Sequence, residues 1–141
     1  MARRIVAVVY GGGLSDAVVR RARGLALERT AEVVIVHVTD DDFLRSLPGA
    51  FHTPATAMQS LKNVGRVVLE RYQKELRDHG VAARTLVREG GLMEEIREIV
   101  SEVSAETLVV GSYKQHYLEE HHRADWERLR RETGVEIVVV D

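Results

Sequence analysis

The feature that most restricts the fold of this chain is a set of apolar runs without internal alternation. Ile5-Val6-Ala7-Val8-Val9, Val33-Val34-Ile35-Val36-His37-Val38 and Leu108-Val109-Val110 carry apolar, mostly β-branched side chains at successive positions. Successive side chains of a strand point to opposite faces, so such a run is stable only where both faces are covered. Together with a weaker run at 81–87 and a last one at 135–140, these predict five strands, at 5–9, 33–38, 81–87, 107–110 and 135–140.

Between the strands the period changes to that of a helix. Val18, Ala22, Leu25 and Ala26 form one stripe, and Leu61, Val64, Val68, Leu69, Tyr72 and Leu76 a second. Leu92, Ile96, Ile99, Val100 and Val103 form the cleanest, and Leu118, His122, Trp126 and Leu129 the last. Strands alternating with amphipathic helices imply right-handed crossovers, hence a parallel sheet with helices on both faces. The punctuation agrees. Gly11 to Gly13 turn the chain, Ser15 is the expected N-cap of a helix over 16–29, and Gly80 is placed to end the second helix. The stretch from Thr39 to about Thr56, with Asp40-Asp41-Asp42, Pro48 and Pro54, is expected to be loop. No linker divides the chain, so residues 1–141 are read as one domain.

Composition narrows the function. With 45% hydrophobic and 30% charged residues the chain reads as a globular protein, and 141 residues suffice for a core without metal or disulfide support. A net charge of -2 provides no general attraction for nucleic acid or an anionic membrane. There is no cysteine, which excludes thiol catalysis and thiolate metal sites. The opening apolar run stops at Gly11, too short for a signal-peptide core or a membrane span, so a cytoplasmic location is expected.

In its order of segments the chain resembles the universal stress protein family over nearly its whole length. The resemblance rests on Ile5-Val6-Ala7-Val8, Ile35-Val36-His37-Val38, Val87-Arg88-Glu89-Gly90, Leu108-Val109-Val110-Gly111-Ser112 and Val135-Glu136-Ile137-Val138-Val139-Val140. It implies a three-layer α/β fold, with a five-stranded parallel sheet in the order 3-2-1-4-5 and helices on both faces, like that of the adenine nucleotide alpha hydrolases. It also implies a homodimer formed by antiparallel pairing of the last strand, here Val135, Ile137, Val138, Val139 and Val140.

ATP-binding members resemble one another in a motif, G-x2-G-x9-G-[S/T], that follows the fourth strand. Here its positions hold Lys114, Tyr117 and Glu127-Arg128, and the Asp-Gly that follows strand one in those members is Tyr10-Gly11. Glycines matter there because they let backbone N–H groups approach phosphate oxygens. Each such charge-assisted bond contributes about 1.5–3 kcal/mol, so losing two or three weakens binding roughly a hundredfold to a millionfold. Glu119, Glu120 and Glu127 add repulsion, which Lys114 offsets only as a flexible point charge. The expectation is a non-catalytic, regulatory or stress-response domain with no tightly bound cofactor, acting through an unidentified protein partner.

A crevice beyond the carboxyl ends of strands one and four is still expected, because connections change direction there. Tyr10, Gly11, Gly12, Val38, Gly111, Ser112, Tyr113 and Lys114 are its candidate lining. Tyr10 and Tyr113 are read first as filling the vacated pocket. The alternative is that they stack a flat ligand, making the chain a sensor that binds AMP, a cyclic nucleotide or another adenine ligand weakly. A second alternative is an adenylating enzyme, since Gly11-Gly12-Gly13-Leu14-Ser15-Asp16 resembles the Ser-Gly-Gly-x-Asp-Ser loop of ATP pyrophosphatases. The opening serine is absent and the Asp-Ser pair is transposed, which favours a plain glycine turn. His116, His121 and His122 lack the i,i+4 spacing of a zinc helix, so no metal site is expected.

Overall fold

The computed structural model describes residues 3–9, 13–40, 54–111 and 119–140. In chain order the elements are β1 (Arg3–Val8), α1 (Gly13–Arg29), β2 (Ala31–Asp40), α2 (Pro54–Asp78), β3 (Ala83–Gly90), α3 (Leu92–Val103), β4 (Thr107–Gly111), α4 (Glu119–Thr133) and β5 (Glu136–Val140). The strands form one parallel sheet in the order β3-β2-β1-β4-β5, as expected.

The period-2 rule divides the core. Ile5, Ala7 and Val9 turn to one face with Val33 and Ile35, packing on Val18, Ala22 and Ala26 of α1 and Leu69, Tyr72 and Leu76 of α2. Val6, Val8, Val34, Val36 and Val38 turn to the other, against Leu92, Ile96, Ile99 and Val100 of α3 and Leu129 of α4. Unbroken apolar strands are thus explained by two cores, not one. Each fully buried Val, Leu or Ile contributes about 1.5–3 kcal/mol of transfer free energy. Trp126 lies half-buried against the second core.

Three local expectations need correction. Ser15 lies inside α1, which already begins at Gly13, and is buried; it is not the N-cap. The loop expected from Thr39 to Thr56 is corrected at both ends, because β2 continues to Asp40 and α2 starts at Pro54, a residue preorganised for a first helical turn; residues 41–53 lie outside the described residues. Strand three begins at Ala83, not Val81. The Val81 amide bonds back to the Leu76 carbonyl (3.0 Å) and that of Gly80 to Arg77 (2.9 Å). With Gly80 at φ +81 this is a Schellman ending, so Val81 is buried as part of the helix stop.

Candidate functional site

The sheet places its chemistry at two edges. At the amino edge, Glu32 receives Arg84 at 2.8 Å and Arg4 at 3.7 Å, and the Arg4 guanidinium also donates to the Val103 carbonyl (2.9 Å). Arg29 donates through Nη1 to the Thr107 hydroxyl (2.9 Å) and to Glu136 (3.0 Å). A cavity of about 250 Å³ lies beside Arg3, Arg29, Glu106, Thr107 and Glu136. Its two cations are matched by two carboxylates, so it offers no net charge to a ligand.

The carboxyl edge is built differently. Val9 donates to the Val36 carbonyl (2.9 Å), the last bond of the β1–β2 ladder among the described residues. In a parallel ladder alternate residues turn their main-chain groups to the same neighbour, so Val38 directs its N–H toward the Val9 carbonyl and its C=O to the β1 side beyond Val9. The Val38 side chain is buried against the α3 core. Gly111 is buried at the end of β4, paired with Val140 on its other side. Of the eight candidate lining residues, Val38 and Gly111 are thus placed at this edge. Tyr10, Gly11, Gly12, Ser112, Tyr113 and Lys114 lie outside the described residues, as does His116.

Four residues outside the expected lining organise this edge, of which His37 was expected only as a packed residue at the strand end and Tyr72 only as part of a helical stripe. His37 reaches across from β2 and donates from Nδ1 to the Val9 carbonyl (3.1 Å). That bond requires the proton on Nδ1 and leaves Nε2 of a neutral ring as an acceptor. Gly65 of α2 makes room for the ring: a Cβ there would fall 2.5 Å from His37 Cδ2. Thr39, two residues on along β2, is 2% exposed, and its hydroxyl has no hydrogen-bond partner. Tyr72 of α2 donates to Asp16 in the first turn of α1 (2.6 Å), holding the start of that helix. Burial, then the Asp16 hydrogen bond and charge, push the Tyr72 hydroxyl up from 10.0 to about 12. A polar residue at the end of an apolar run was the one available signal for Thr39. Glycine inside a helical stripe was the signal for Gly65.

Among the described residues no cluster of three or more His, Asp or Glu is arranged to hold a metal ion. No helix there is long and apolar enough to cross a membrane.

A five-stranded parallel sheet in the order β3-β2-β1-β4-β5 with helices on both faces defines a three-layer α/β domain. The model of the universal stress protein family matches residues 1–125, and the chain belongs to that family. Its fold is shared with solved members of low identity. A universal stress family protein from Burkholderia pseudomallei is 22% identical, with a TM-score of 0.74 over 97% of this chain and 94% of that one. A universal stress protein solved in complex with cAMP is 18% identical (TM-score 0.69, 99% and 97% covered). One from Archaeoglobus fulgidus in complex with dAMP is 15% identical (TM-score 0.63, 100% and 98% covered). No curated protein matches the sequence significantly.

Proposed function

We propose that this chain is a non-catalytic regulatory domain of the universal stress protein family that does not hold ATP tightly. The observation that carries the reading is the position of Glu127-Arg128, where the family's closing Gly-[S/T] would stand. Both are exposed residues in the third turn of α4, well past its first residue, Glu119. Amides that deep in a helix bond to the carbonyl four residues back and are not free to cradle phosphate. The binding of Asp16 by Tyr72 gives the first turn of α1 a structural task, which counts against an adenylating enzyme. Thermal-shift titration tests the reading: millimolar ATP should leave the melting temperature unchanged. Saturable stabilisation by ATP would overturn it, and magnesium-dependent pyrophosphate release lost in Asp16→Ala would establish the enzyme instead.

A second reading is favoured by the cAMP and dAMP complexes of structural neighbours. An adenine monophosphate needs fewer phosphate contacts, and the Val38 carbonyl, directed to the β1 side beyond Val9, is placed to meet a base edge. In this reading AMP or cAMP stabilises the protein where ATP does not.

Dimerisation through β5 is part of the proposal. β5 is an edge strand, and Val139 is 54% exposed on it, an apolar residue on an uncovered edge. Val139→Lys is therefore the clean test, since Val138 also packs on the core. Sedimentation should shift toward monomer in Val139→Lys; an unchanged profile would move the interface elsewhere.

A further inference from the structure

We infer that Thr39 and His37 form a hydrogen-bonding pair for a sugar hydroxyl of the crevice ligand, a role separate from base and phosphate recognition. The inference rests on the adenine monophosphate reading above. A buried hydroxyl with no partner costs stability, so the Thr39 Oγ1 is expected to meet a polar group when the site is filled. Arg4, Arg97 and Glu106 also carry a buried atom without a hydrogen bond, but each of those side chains is ion-paired, at 3.7, 3.2 and 3.7 Å. Among the described residues Thr39 is the buried side chain whose only polar atom is left over.

The identity of the missing group follows from the protons. His37 spends its Nδ1 proton on the Val9 carbonyl, so the neutral ring presents a lone pair at Nε2. Thr39 presents a proton. The two residues are i and i+2 on β2 and so share a face, their Cα atoms about 7 Å apart. A group bonded to both would lie on that face of the sheet. A phosphate oxygen only accepts and would face the His37 lone pair. An adenine amine only donates and would leave the Thr39 proton unpaired. A hydroxyl accepts from Thr39 and donates to His37, satisfying both. Gly65 belongs to the same arrangement, because any side chain there would drive the imidazole off the Val9 carbonyl.

The experiment is calorimetric titration of wild type, Thr39→Val and Thr39→Ser with AMP, 2′-deoxy-AMP and 3′-deoxy-AMP. Thr39→Val, which keeps the shape, should weaken AMP about tenfold, the loss of one hydrogen bond of about 1.4 kcal/mol. Thr39→Ser should bind like wild type. One deoxy analogue, the one lacking the bonded hydroxyl, should bind wild type and Thr39→Val equally. In the free protein Thr39→Val should melt at or above the wild-type temperature, because it removes an unpaired group. Equal binding of all three ligands by wild type and Thr39→Val would overturn the inference and leave the monophosphate reading standing. A lowered melting temperature of free Thr39→Val would also overturn it, by showing the hydroxyl bonded to a buried water. Failure of wild type to bind any of the three would defeat the monophosphate reading and the inference with it.

Discussion

Thr107 and Thr39 lie near opposite ends of the same sheet, both turned to the α1/α2 face and both sealed from solvent at 0% and 2% exposure. The Thr107 hydroxyl receives Arg29 at 2.9 Å and lies 3.5 Å from Glu136, inside a group of charges that pair with one another. The Thr39 hydroxyl meets nothing. The same side chain is thus tied off at the amino edge and left over at the carboxyl edge. Buried polar groups are satisfied wherever stability alone decides, so an exception indicates a position held for something else. Arg4 Nε and Glu106 Oε1 at the amino edge also lack hydrogen bonds, but both side chains are ion-paired. On the inference above, the amino edge fastens the fold and the carboxyl edge gives up stability for binding.

The strongest test of that contrast acts on the glycine that fixes the carboxyl edge. Gly65→Ala brings a methyl within 2.5 Å of His37 Cδ2 and 3.0 Å of Cγ and Nε2, against an aromatic ring that cannot fold away. Helix propensity returns up to about 1 kcal/mol, but overpacking of this kind costs about 1–3 kcal/mol and more where the ring must leave its hydrogen bond. A net loss of about 2 kcal/mol is expected in urea denaturation. Wild-type stability in Gly65→Ala would mean the ring swings freely, and the edge would then be no more organised than a loop.

Thr107→Val is expected to act less strongly, and opposite in sign to Thr39→Val. It removes one of the two partners of Arg29 Nη1 and leaves Glu136 to hold it, at a cost of about 1 kcal/mol. Paired denaturation of the two Thr→Val variants measures the asymmetry directly. If both lose stability equally, the two hydroxyls are equally satisfied and the distinction between the edges fails.

The two edges also differ in how far they could be read from sequence. The strands, the helices and the burial of both sheet faces were legible, because β-branched runs and 3.6-residue stripes record burial one residue at a time; the strand order came from the family resemblance. Leu92, Ile96, Ile99, Val100 and Val103 were expected on one face of a helix, and all are buried there. The start of β3 was not legible, since an apolar Val81 fits a helix stop as well as a strand. The carboxyl edge was harder still. His37 is joined to Val9 across 28 residues of chain, and Gly65 matters only because α2 returns over β2. Nothing local marks such a meeting. Thr39 read as the first residue of a loop because a hydroxyl after an apolar run resembles an ending.

The smallest expected effect concerns Tyr72, which fastens the carboxyl edge from the side of α1. Its hydroxyl donates to Asp16 at 2.6 Å, and Asp16 is exposed, so in Tyr72→Phe water replaces the lost bond. At neutral pH the cost is therefore about 0.5 kcal/mol. The pH dependence is more telling. The folded Tyr72 hydroxyl ionises near 12 against 10.0 in an unfolded chain, because burial and the Asp16 carboxylate both disfavour the phenolate. Its contribution is fully present below pH 10 and is lost as pH rises toward 12, where the unfolded state releases its proton first. The wild-type denaturation midpoint should fall across that window relative to Tyr72→Phe, whatever the other tyrosines do, since both proteins share them. Parallel curves for the two proteins would mean that Tyr72 is not bonded to Asp16 in solution. The first turn of α1 would then be as loosely held as the Thr39 hydroxyl, extending the unsatisfied character of this edge to the helix beside it.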